Sequence, residues 1–348
     1  MAGVYQHFIP RFLQKGFRIP GNGSEVRSWL YDRRREVRKT NLKAIGMEGH
    51  FYAVGAEPDL DDKITMAEEK VFTPLIDGLR RGELDGQGVS EIADLLAHFE
   101  IRSRHVRQNM ESTGDACISY ILQRMADPKA LSQLLRPHLN LESPAFAQAI
   151  GEVANADQLK QLLAQRPDLL TGEFFEPLIQ MAAAQIAALG PSNKQMIARA
   201  VKHSHIRVMS ESISPEKRAD RFRSLSYSLE SYAPGDLTLG DSIVLFHVKG
   251  ERAFSPFLDK EDDLIHVVLP LTSSLFLMGT TGVYRGPPTY DMPREIARCC
   301  MDYFIASENK PLFTELTHQI GSNSQWVSEA EVDGIMEEVI QKLMQGES

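Results

Sequence analysis

The sequence has few cysteines, no long apolar run and no overall excess of positive charge. Its 3 cysteines, two of them adjacent at Cys299 and Cys300, match neither a disulfide framework nor a zinc-binding pattern. A reducing compartment is the simplest fit for such a chain. The opening residues MAGVYQHFIPRF lack the apolar core and cleavage site of a signal peptide, and the longest apolar run, SIVLFHV, is too short to cross a bilayer. We therefore expect a cytoplasmic protein without membrane contact.

Motifs that identify common enzyme classes are also absent from the sequence. There is no Gly-x-x-x-x-Gly-Lys-Ser/Thr phosphate-binding loop and no dinucleotide-binding fingerprint. There is no Gly-x-Ser-x-Gly nucleophile turn and no His-Glu-x-x-His zinc motif. His203 and His205 are two residues apart without a third ligand nearby, so we expect both to be surface residues at a helix end.

Basic residues are outnumbered by acidic ones in the whole chain but are concentrated near its start. The formal net charge of -9 argues against general coating of nucleic acid. The segment from Arg11 to Lys43 nevertheless holds ten basic residues and three acidic ones, a local net charge of +7 (10 − 3). This segment is solvated surface, or it attracts the acidic end of the chain, or it binds an anionic ligand such as nucleic acid or a nucleotide.

The hydrophobic pattern predicts strands near the start of the chain and helices after it. EVRSWLYD and VRKTNLKAI read as two strands joined by a turn that carries Arg33, Arg34 and Arg35, and GHFYAV reads as a third strand. From Asp61 the apolar spacing changes to three and four residues, which predicts a helix ending near Gly82. Ser90 is expected to cap a long helix toward Met125, which Gly114 bends or weakens.

The last third of the chain turns extended again. LTLGDSIVLFHV and LIHVVLPLTSSLFLMG are rich in β-branched residues and are expected to pair as core strands, while REIARCCMDYFIA and SEAEVDGIMEEVIQKLMQ read as helices. The fold class predicted is α+β. We expect a β-rich part at 1–60, a large helical part at 61–210 and an α+β part at 211–348, with the first and third able to form one domain.

The opening stretch QHFIPRFLQKGF resembles an uncharacterised family, domain of unknown function 4238. Members tend to begin with a histidine, an aromatic residue, a proline and a short apolar stretch ending in phenylalanine; here these are His7, Phe8, Pro10, Phe12, Leu13 and Phe17. They also carry a long helix with a central arginine, which Arg102 matches. Such proteins usually have a Thr-Ser-Asp-Asn-Pro type motif near the end, where this chain has LTLGDSIV and keeps only Asp241. The resemblance implies no established activity and suggests a bacterial accessory or phage-defence protein.

Two charged residues lie within apolar stripes. Arg102 follows Phe99 by three residues and precedes Val106 by four, and Glu68 has a similar position after Ile64. Because an unpaired ion is costly to bury and arginine does not lose its proton, the two are expected to pair. The pair is either a structural contact that sets the register of two helices or the floor of an anion-binding pocket. A third reading leaves both side chains exposed.

His7 and Asp241 complete the set of candidate site residues. His7 either bonds the backbone and ties the terminus to a sheet, or acts as a general acid or base, with Arg11 four residues later as an anion contact. Asp241 follows Gly240, a pairing that often marks a bulge or tight turn.

Two functional hypotheses follow from this set. In the first, the protein is a nuclease-like hydrolase of phosphodiesters or nucleotides, with His7, Glu68 and Asp241 as catalytic residues and Arg11 and Arg102 as anion-binding residues. A divalent metal such as Mg²⁺ would be its cofactor, although the sequence assigns no metal ligands. In the second, the polar residues are structural, and the protein is a non-catalytic interaction or sensing module whose helical surfaces bind a protein partner.

Overall fold

A computed structural model describes most of the chain. It covers residues 5–21, 25–34, 37–52, 59–85, 87–136, 155–166, 175–188, 190–233, 235–250, 253–282 and 290–345. These residues have the predicted α+β fold. They divide into two compact units, the first made of Met1–Asn109 with Val201–Trp326 and the second of Met110–Ala200 with Val327–Ser348. No helix in the described ranges is long and apolar enough to cross a membrane.

The first unit contains all the described strands. In chain order they are β1 Tyr5–His7, β2 Arg27–Asp32, β3 Arg38–Asn41, β4 Met47–Gly49, β5 Ser226–Ser231, β6 Leu239–Gly240, β7 Leu245–Val248, β8 Phe254–Ser255, β9 Leu264–Pro270, β10 Leu275–Thr280 and β11 Tyr303–Ala306. Strand β1 pairs with β4, and the other sheets have the orders β3-β2-β11-β6 and β5-β10-β9-β7-β8. The predicted pairing across the charged loop is confirmed, because β7 is antiparallel to β9.

Helices occur in both units. Those of the first unit are α1 Arg11–Gln14, α2 Asp59–Ala67, α3 Thr73–Arg80, α4 Val89–Arg102, α10 Glu216–Arg223, α11 Met292–Cys299 and α12 Pro311–Leu316. Those of the second are α6 Pro128–Leu135, α7 Ala156–Gln165, α8 Phe175–Ala188 and α13 Glu329–Gln345. The boundary between units falls within α5 Arg104–Ala126 and α9 Gly190–Glu211. The second unit has its own apolar cluster of Leu131, Phe175, Ile179 and Ala183.

Strand β11 lies between strands from both ends of the sequence. Ile305 is paired with Leu30 of β2 on one side and with Leu239 of β6 on the other. The prediction of one helix for REIARCCMDYFIA was therefore wrong in its second half. Helix α11 ends at Cys299, and Cys300 has an extended backbone with ψ 147. The short apolar run that follows fits a helix or a buried strand equally well by its pattern, and pairing on both sides makes it a strand.

The long helix expected from Ser90 to Met125 is two helices. Gly88, not Ser90, is the N-cap of α4, and the chain breaks at Ser103 (φ -60, ψ 140) rather than bending at Gly114. Ser103 is buried, its hydroxyl donates to the carbonyl of Glu100 at 3.2 Å, and its oxygen accepts the N–H of Val106 at 3.4 Å. These bonds satisfy backbone groups that the break leaves without helical partners.

Turns replace two predicted strands in part. Strand β4 ends at Gly49, the first residue of GHFYAV, and His50 has a left-handed backbone (φ 54). The next described residues therefore form a turn with Phe51 and Tyr52 buried. In LTLGDSIVLFHV a turn with Ile243 at φ 67 separates β6 from β7.

The opening motif is built into the core of the first unit. Its apolar side chains are all at most 7% exposed: Phe8, Ile9, Phe12, Leu13 and Phe17. Full burial of one such side chain contributes about 1.5–3 kcal/mol. The stretch HFIPRFLQKGF is therefore an anchor that holds this part of the chain against the core.

Candidate functional site

The two ions expected in apolar stripes meet in the structure. Glu68 begins a π-helical turn, Glu68–Phe72, that joins α2 to α3, and Arg102 is the last residue of α4. The Nη1 atom of Arg102 forms an ion pair with Glu68 Oε1, and the side chains are 3% and 19% exposed. The arginine is thus held in the core with its counter-ion.

Protein groups bind every nitrogen of the Arg102 guanidinium. Nε donates to Tyr52 Oη at 2.6 Å, and Nη2 donates to the main-chain carbonyl of His7. Nη1 lies 3.2 Å from Nε2 of His98, whose Nδ1 lies 2.8 Å from the carbonyl of Ile213. Since the guanidinium only donates, this arrangement requires neutral His98 with its proton on Nδ1. Burial of His98 favours the same state by lowering its pKa to about 4.

His7 is tied to the protein through both its backbone and its ring. Its carbonyl accepts from Arg102 and from Tyr52 Oη at 3.3 Å, while its Nδ1 lies 3.1 Å from the carbonyl of Ile45. Burial lowers the pKa of the imidazole, and the bond to Ile45 opposes this effect. These contacts match the structural reading of His7, in which the histidine bonds the backbone.

A second arginine–histidine contact was missed from the sequence. Arg107 Nε lies 3.2 Å from His205 Nδ1, Arg107 Nη2 donates to the carbonyl of Phe51 at 2.7 Å, and the guanidinium lies 3.8 Å from the Phe51 ring centroid. His205 Nε2 bonds the carbonyl of Ile101 at 2.6 Å. The expectation that His205 is a surface residue was wrong, because it is 4% exposed and burial lowers its pKa to about 4. Arg107 lies five residues after Arg102 and beyond the break at Ser103, so helical periodicity did not mark it.

The N-terminal motif shapes the loop between β3 and β4. The carbonyl of Ile45 bonds His7 Nδ1 and accepts from Gln14 Nε2 at 3.0 Å, and the carbonyl of Gly46 accepts the N–H of Phe8 at 2.7 Å. Gly46 has φ +66, and a Cβ there would lie 2.6 Å from Ile9 Cβ. Only glycine fits this conformation and this close approach.

Asp241 shapes a different segment, the start of β11. Its Oδ1 accepts the N–H of Met301 at 2.9 Å, and its Oδ2 accepts those of Asp302 at 2.7 Å and Tyr303 at 3.3 Å. Burial raises the pKa of Asp241 to about 6, against the opposing effect of the three amides. The carboxylate of Asp241 therefore holds the start of β11 and, among the described residues, is not bonded to Arg102 or Glu68.

A cleft lies between the two segments held in this way. Gly46 and Met47 line one side and Asp302 and Tyr303 another, around a volume of about 390 Å³. We call it the Arg104 cleft, and its charged lining residues are Asp32, Arg34, Arg38, Arg104 and Asp302. Its volume lies in the range of small-molecule sites. The residues singled out from the sequence, His7, Arg102 and Asp241, support its walls but do not line it.

The charges of the Arg104 cleft are only partly paired. Arg104 Nη1 lies 2.8 Å from Asp302 Oδ2, and its Nε lies 3.2 Å from Glu48 Oε2. By contrast, the side chains of Arg34 and Arg38 make no ion pair within the part of the chain that the structure describes. Two guanidinium groups therefore remain available to an anion in the cleft.

Arg11 lies outside the cleft. It is the exposed first residue of α1 and lines a separate, smaller hollow with Lys15 and Lys43.

A metal site is not preformed in the described ranges, where no group of three or more His, Cys, Asp or Glu residues could hold an ion. Mg²⁺, however, commonly uses one or two carboxylates together with phosphate oxygens of a substrate. Asp32 and Asp302 are the carboxylates that line the Arg104 cleft. They are therefore the residues that could hold such an ion once a phosphate is bound.

The fold and the site define an α+β protein whose buried N-terminal histidine–proline segment supports an arginine-lined cleft. The family model "Protein of unknown function (DUF4238)" matches residues 5–208, which is more than half of the chain, and the chain belongs to this family. The match includes His7, Glu68 and Arg102 and ends before Asp241. No curated protein and no solved structure matches the chain.

Proposed function

We propose that the protein binds a nucleotide, or another small ligand that carries a phosphate group, in the Arg104 cleft. The observation that carries the proposal is the pair of guanidinium groups, Arg34 and Arg38, that line the cleft without an acidic partner among the described residues. Arginine presents several donors in a plane and binds phosphate through paired hydrogen bonds. Arg104, oriented by Asp302, adds a third guanidinium to the same cleft.

In this proposal the buried polar residues position the cleft instead of reacting with the ligand. The guanidinium of Arg102 is 3% exposed and each of its three nitrogens already has a protein partner, so it is closed to a ligand in the cleft. His7 supports the loop at Ile45, and Asp241 supports the segment that presents Asp302. This part of the proposal follows the second sequence hypothesis, in which the polar residues are structural.

Hydrolysis of a bound phosphodiester is a second candidate function. It is favoured by the carboxylates of Asp32 and Asp302, which line the cleft beside the arginines. Asp32 and Asp302 would hold Mg²⁺, which would stabilise the negative charge that develops on the phosphate. Water would form a bond to phosphorus and lose a proton, the bond to the leaving oxygen would break, and that oxygen would take up the proton. His7 and Glu68 have no part in this version of the reaction.

Calorimetric titration with AMP, ADP, ATP and inorganic phosphate tests the binding proposal. We expect the double variant Arg34→Gln/Arg38→Gln to bind at least about tenfold more weakly, because charge-assisted hydrogen bonds contribute about 1.5–3 kcal/mol each. Arg81→Gln is the matched control, since Arg81 is exposed and its recorded side-chain partner is Glu83 at 2.7 Å. Equal affinity of the double variant and the native protein for all four ligands, or no binding by the native protein, would refute the proposal.

Turnover is tested separately, with nucleotides, RNA and DNA in the presence of Mg²⁺ or Mn²⁺. If the cleft hydrolyses its ligand, Asp302→Asn removes turnover while Arg34 and Arg38 still bind the ligand. Native protein that binds nucleotide but releases no product under these conditions excludes the hydrolytic candidate and leaves the binding proposal intact.

The compartment and a protein partner stay proposals as well. Three unbridged cysteines suit a reducing compartment, and we propose the cytoplasm.

A protein partner is favoured by helix α8, where Leu178 and Met181 lie three residues apart and are 58% and 60% exposed. Cross-linking in cell extract with a Leu178→Glu/Met181→Glu control tests this contact, and identical products from both proteins would count against it.

A further inference from the structure

The hollow beside Arg11 is a second basic depression of the first unit. Arg11 and Lys15 contribute from the N-terminal segment, Lys43 contributes from the 3-10 turn Leu42–Ala44, and Glu25 and Asn41 complete the polar lining. All three basic side chains are exposed, and the hollow has a volume of about 180 Å³. We call it the Lys43 hollow. Its size suits a single phosphate group better than a whole nucleotide.

The acidic residue of the Lys43 hollow is already neutralised. Arg27 Nε donates to Glu25 Oε2 at 2.9 Å. Arg11, Lys15 and Lys43, in contrast, make no ion pair with any residue that the structure describes. Three like charges around one depression repel each other, and an anion placed among them relieves that repulsion.

The Lys43 hollow and the Arg104 cleft lie on either side of one turn. Leu42 and Lys43 line the hollow, while Ala44 and the residues that follow it, to Met47, line the cleft. Consecutive Cα atoms are about 3.8 Å apart, so the two basic sites are neighbours along the chain. Leu42 is 2% exposed and anchors the turn that separates them.

The N-terminal segment also lines both sites, through Phe8 and Arg11. Phe8 lines the cleft, and Arg11 lines the hollow three residues later. The same two segments therefore contribute to both sites, which makes the spacing of the sites a property of one packed structure. A ligand with a single phosphate group fills one site and leaves the other cationic.

We infer that the Lys43 hollow is a second phosphate site, and that the ligand is a chain of phosphate groups, as in a short single-stranded oligonucleotide, that spans both sites. The inference rests on the proposed phosphate binding in the Arg104 cleft and extends it. A net charge of -9 opposes general coating of nucleic acid, whereas the +7 segment confines the attraction to this one surface. The ligand is therefore bound as a short stretch and not as an extended duplex.

Fluorescence anisotropy with labelled DNA and RNA strands of one to eight nucleotides tests the inference. We expect affinity to rise with length until both sites are filled. Lys15→Gln/Lys43→Gln should weaken binding of the longer strands at least about tenfold and leave mononucleotide binding unchanged. It should also lower the magnitude of the salt slope by about 1.4, since each lost phosphate contact removes about 0.7 on a single strand. Lys249→Gln/Lys260→Gln removes the same charge from exposed positions elsewhere in this unit and is the matched control.

The outcomes separate this inference from the proposal on which it rests. If mononucleotides bind and Arg34→Gln/Arg38→Gln weakens them, but long strands are unaffected by Lys15→Gln/Lys43→Gln, the second site is overturned and the proposed function stands. If mononucleotides and phosphate do not bind, both fail.

Inorganic polyphosphate provides a second arm, because it presents the same chain of phosphate groups without bases. Binding of polyphosphate that depends on both pairs of residues supports the two sites. Competition between polyphosphate and the oligonucleotide then shows which of the two ligands binds more tightly. Thermal unfolding of each variant is recorded alongside, and since the replaced lysines are exposed, we expect no change in melting temperature.

Discussion

The guanidinium of Arg102 donates a hydrogen bond to the main-chain carbonyl of His7. The buried arginine thus holds the histidine by its backbone, and the imidazole is left to bond the loop at Ile45. This relationship joins the end of α4 to strand β1 and, through Ile45, to one wall of the Arg104 cleft. The contact between the two residues fixes their positions, and replacement of Arg102 tests it.

Removal of Arg102 should strongly destabilise the first unit. In Arg102→Met, Glu68 loses its counter-ion and the carbonyl of His7 loses a donor, so we expect unfolding to become easier by about 3–5 kcal/mol. Urea unfolding followed by circular dichroism measures this change. Arg81→Met, at an exposed ion pair, should leave the urea transition where it is in the native protein. Coincident urea transitions for Arg102→Met and the native protein would contradict the buried pair.

Truncation of Phe12 tests the N-terminal anchor. The ring is 7% exposed and its centroid lies 6.2 Å from that of Phe99, so Phe12→Ala should leave a cavity that costs about 3–5 kcal/mol. Tyr5→Ala is the control, because Tyr5 is 66% exposed in the same segment. Equal melting temperatures for the two variants would show that the segment does not pack as described.

Asp241 should make stability fall as the pH rises through weakly acidic values. Its pKa is about 6 in the folded chain and 3.8 without burial, so between these values the folded state holds more protons than the unfolded state. The free energy of unfolding therefore falls from about pH 4 to pH 6, by as much as about 3 kcal/mol. Chemical unfolding of the native protein and Asp241→Asn at several pH values measures it. A stability difference between them that is constant from pH 4 to pH 6 would be inconsistent with this titration.

The titration of His98 and His205 should have the opposite effect, making the free energy of unfolding fall as the pH decreases. Both have a folded-state pKa of about 4, below the ordinary 6.5, so the unfolded chain binds more protons between these values. Their contribution to stability is then lost as the pH falls from about 6.5 to 4, by about 3 kcal/mol for the fully buried His98. NMR titration of the imidazole signals, assigned with His98→Gln and His205→Gln, should show both rings neutral at pH 5.5. Protonation of either ring near pH 6.5 would disprove its burial.

Part of the candidate site could be predicted from the sequence because its determinants are local. The stripe positions of Glu68 and Arg102 follow from helical periodicity, and the cost of burying either ion alone requires that they pair. The Arg104 cleft could not be predicted in this way. Its walls come from β2, the β3–β4 loop and the start of β11, and these are adjacent only because β11 pairs with β2.

The wrong predictions for single helices and strands have the same cause, which is tertiary packing. The pattern of REIARCCMDYFIA allows a helix throughout, and only the insertion of Tyr303–Ala306 between two strands decides otherwise. Likewise, nothing near Ser103 in the sequence marks a break, which depends on the burial of the serine and on its bonds to Glu100 and Val106.

The sequence by itself determined the α+β composition, the burial of the opening motif and the concentration of positive charge between Arg11 and Lys43, because periodicity, hydrophobicity and charge are properties of short stretches. Only the tertiary structure decided that His7, Arg102 and Asp241 support a cleft while Arg34, Arg38 and Arg104 line it. Which side chain faces a cavity depends on strand pairing between residues 273 positions apart (304 − 31), such as Tyr31 and Phe304, and no local pattern encodes that pairing.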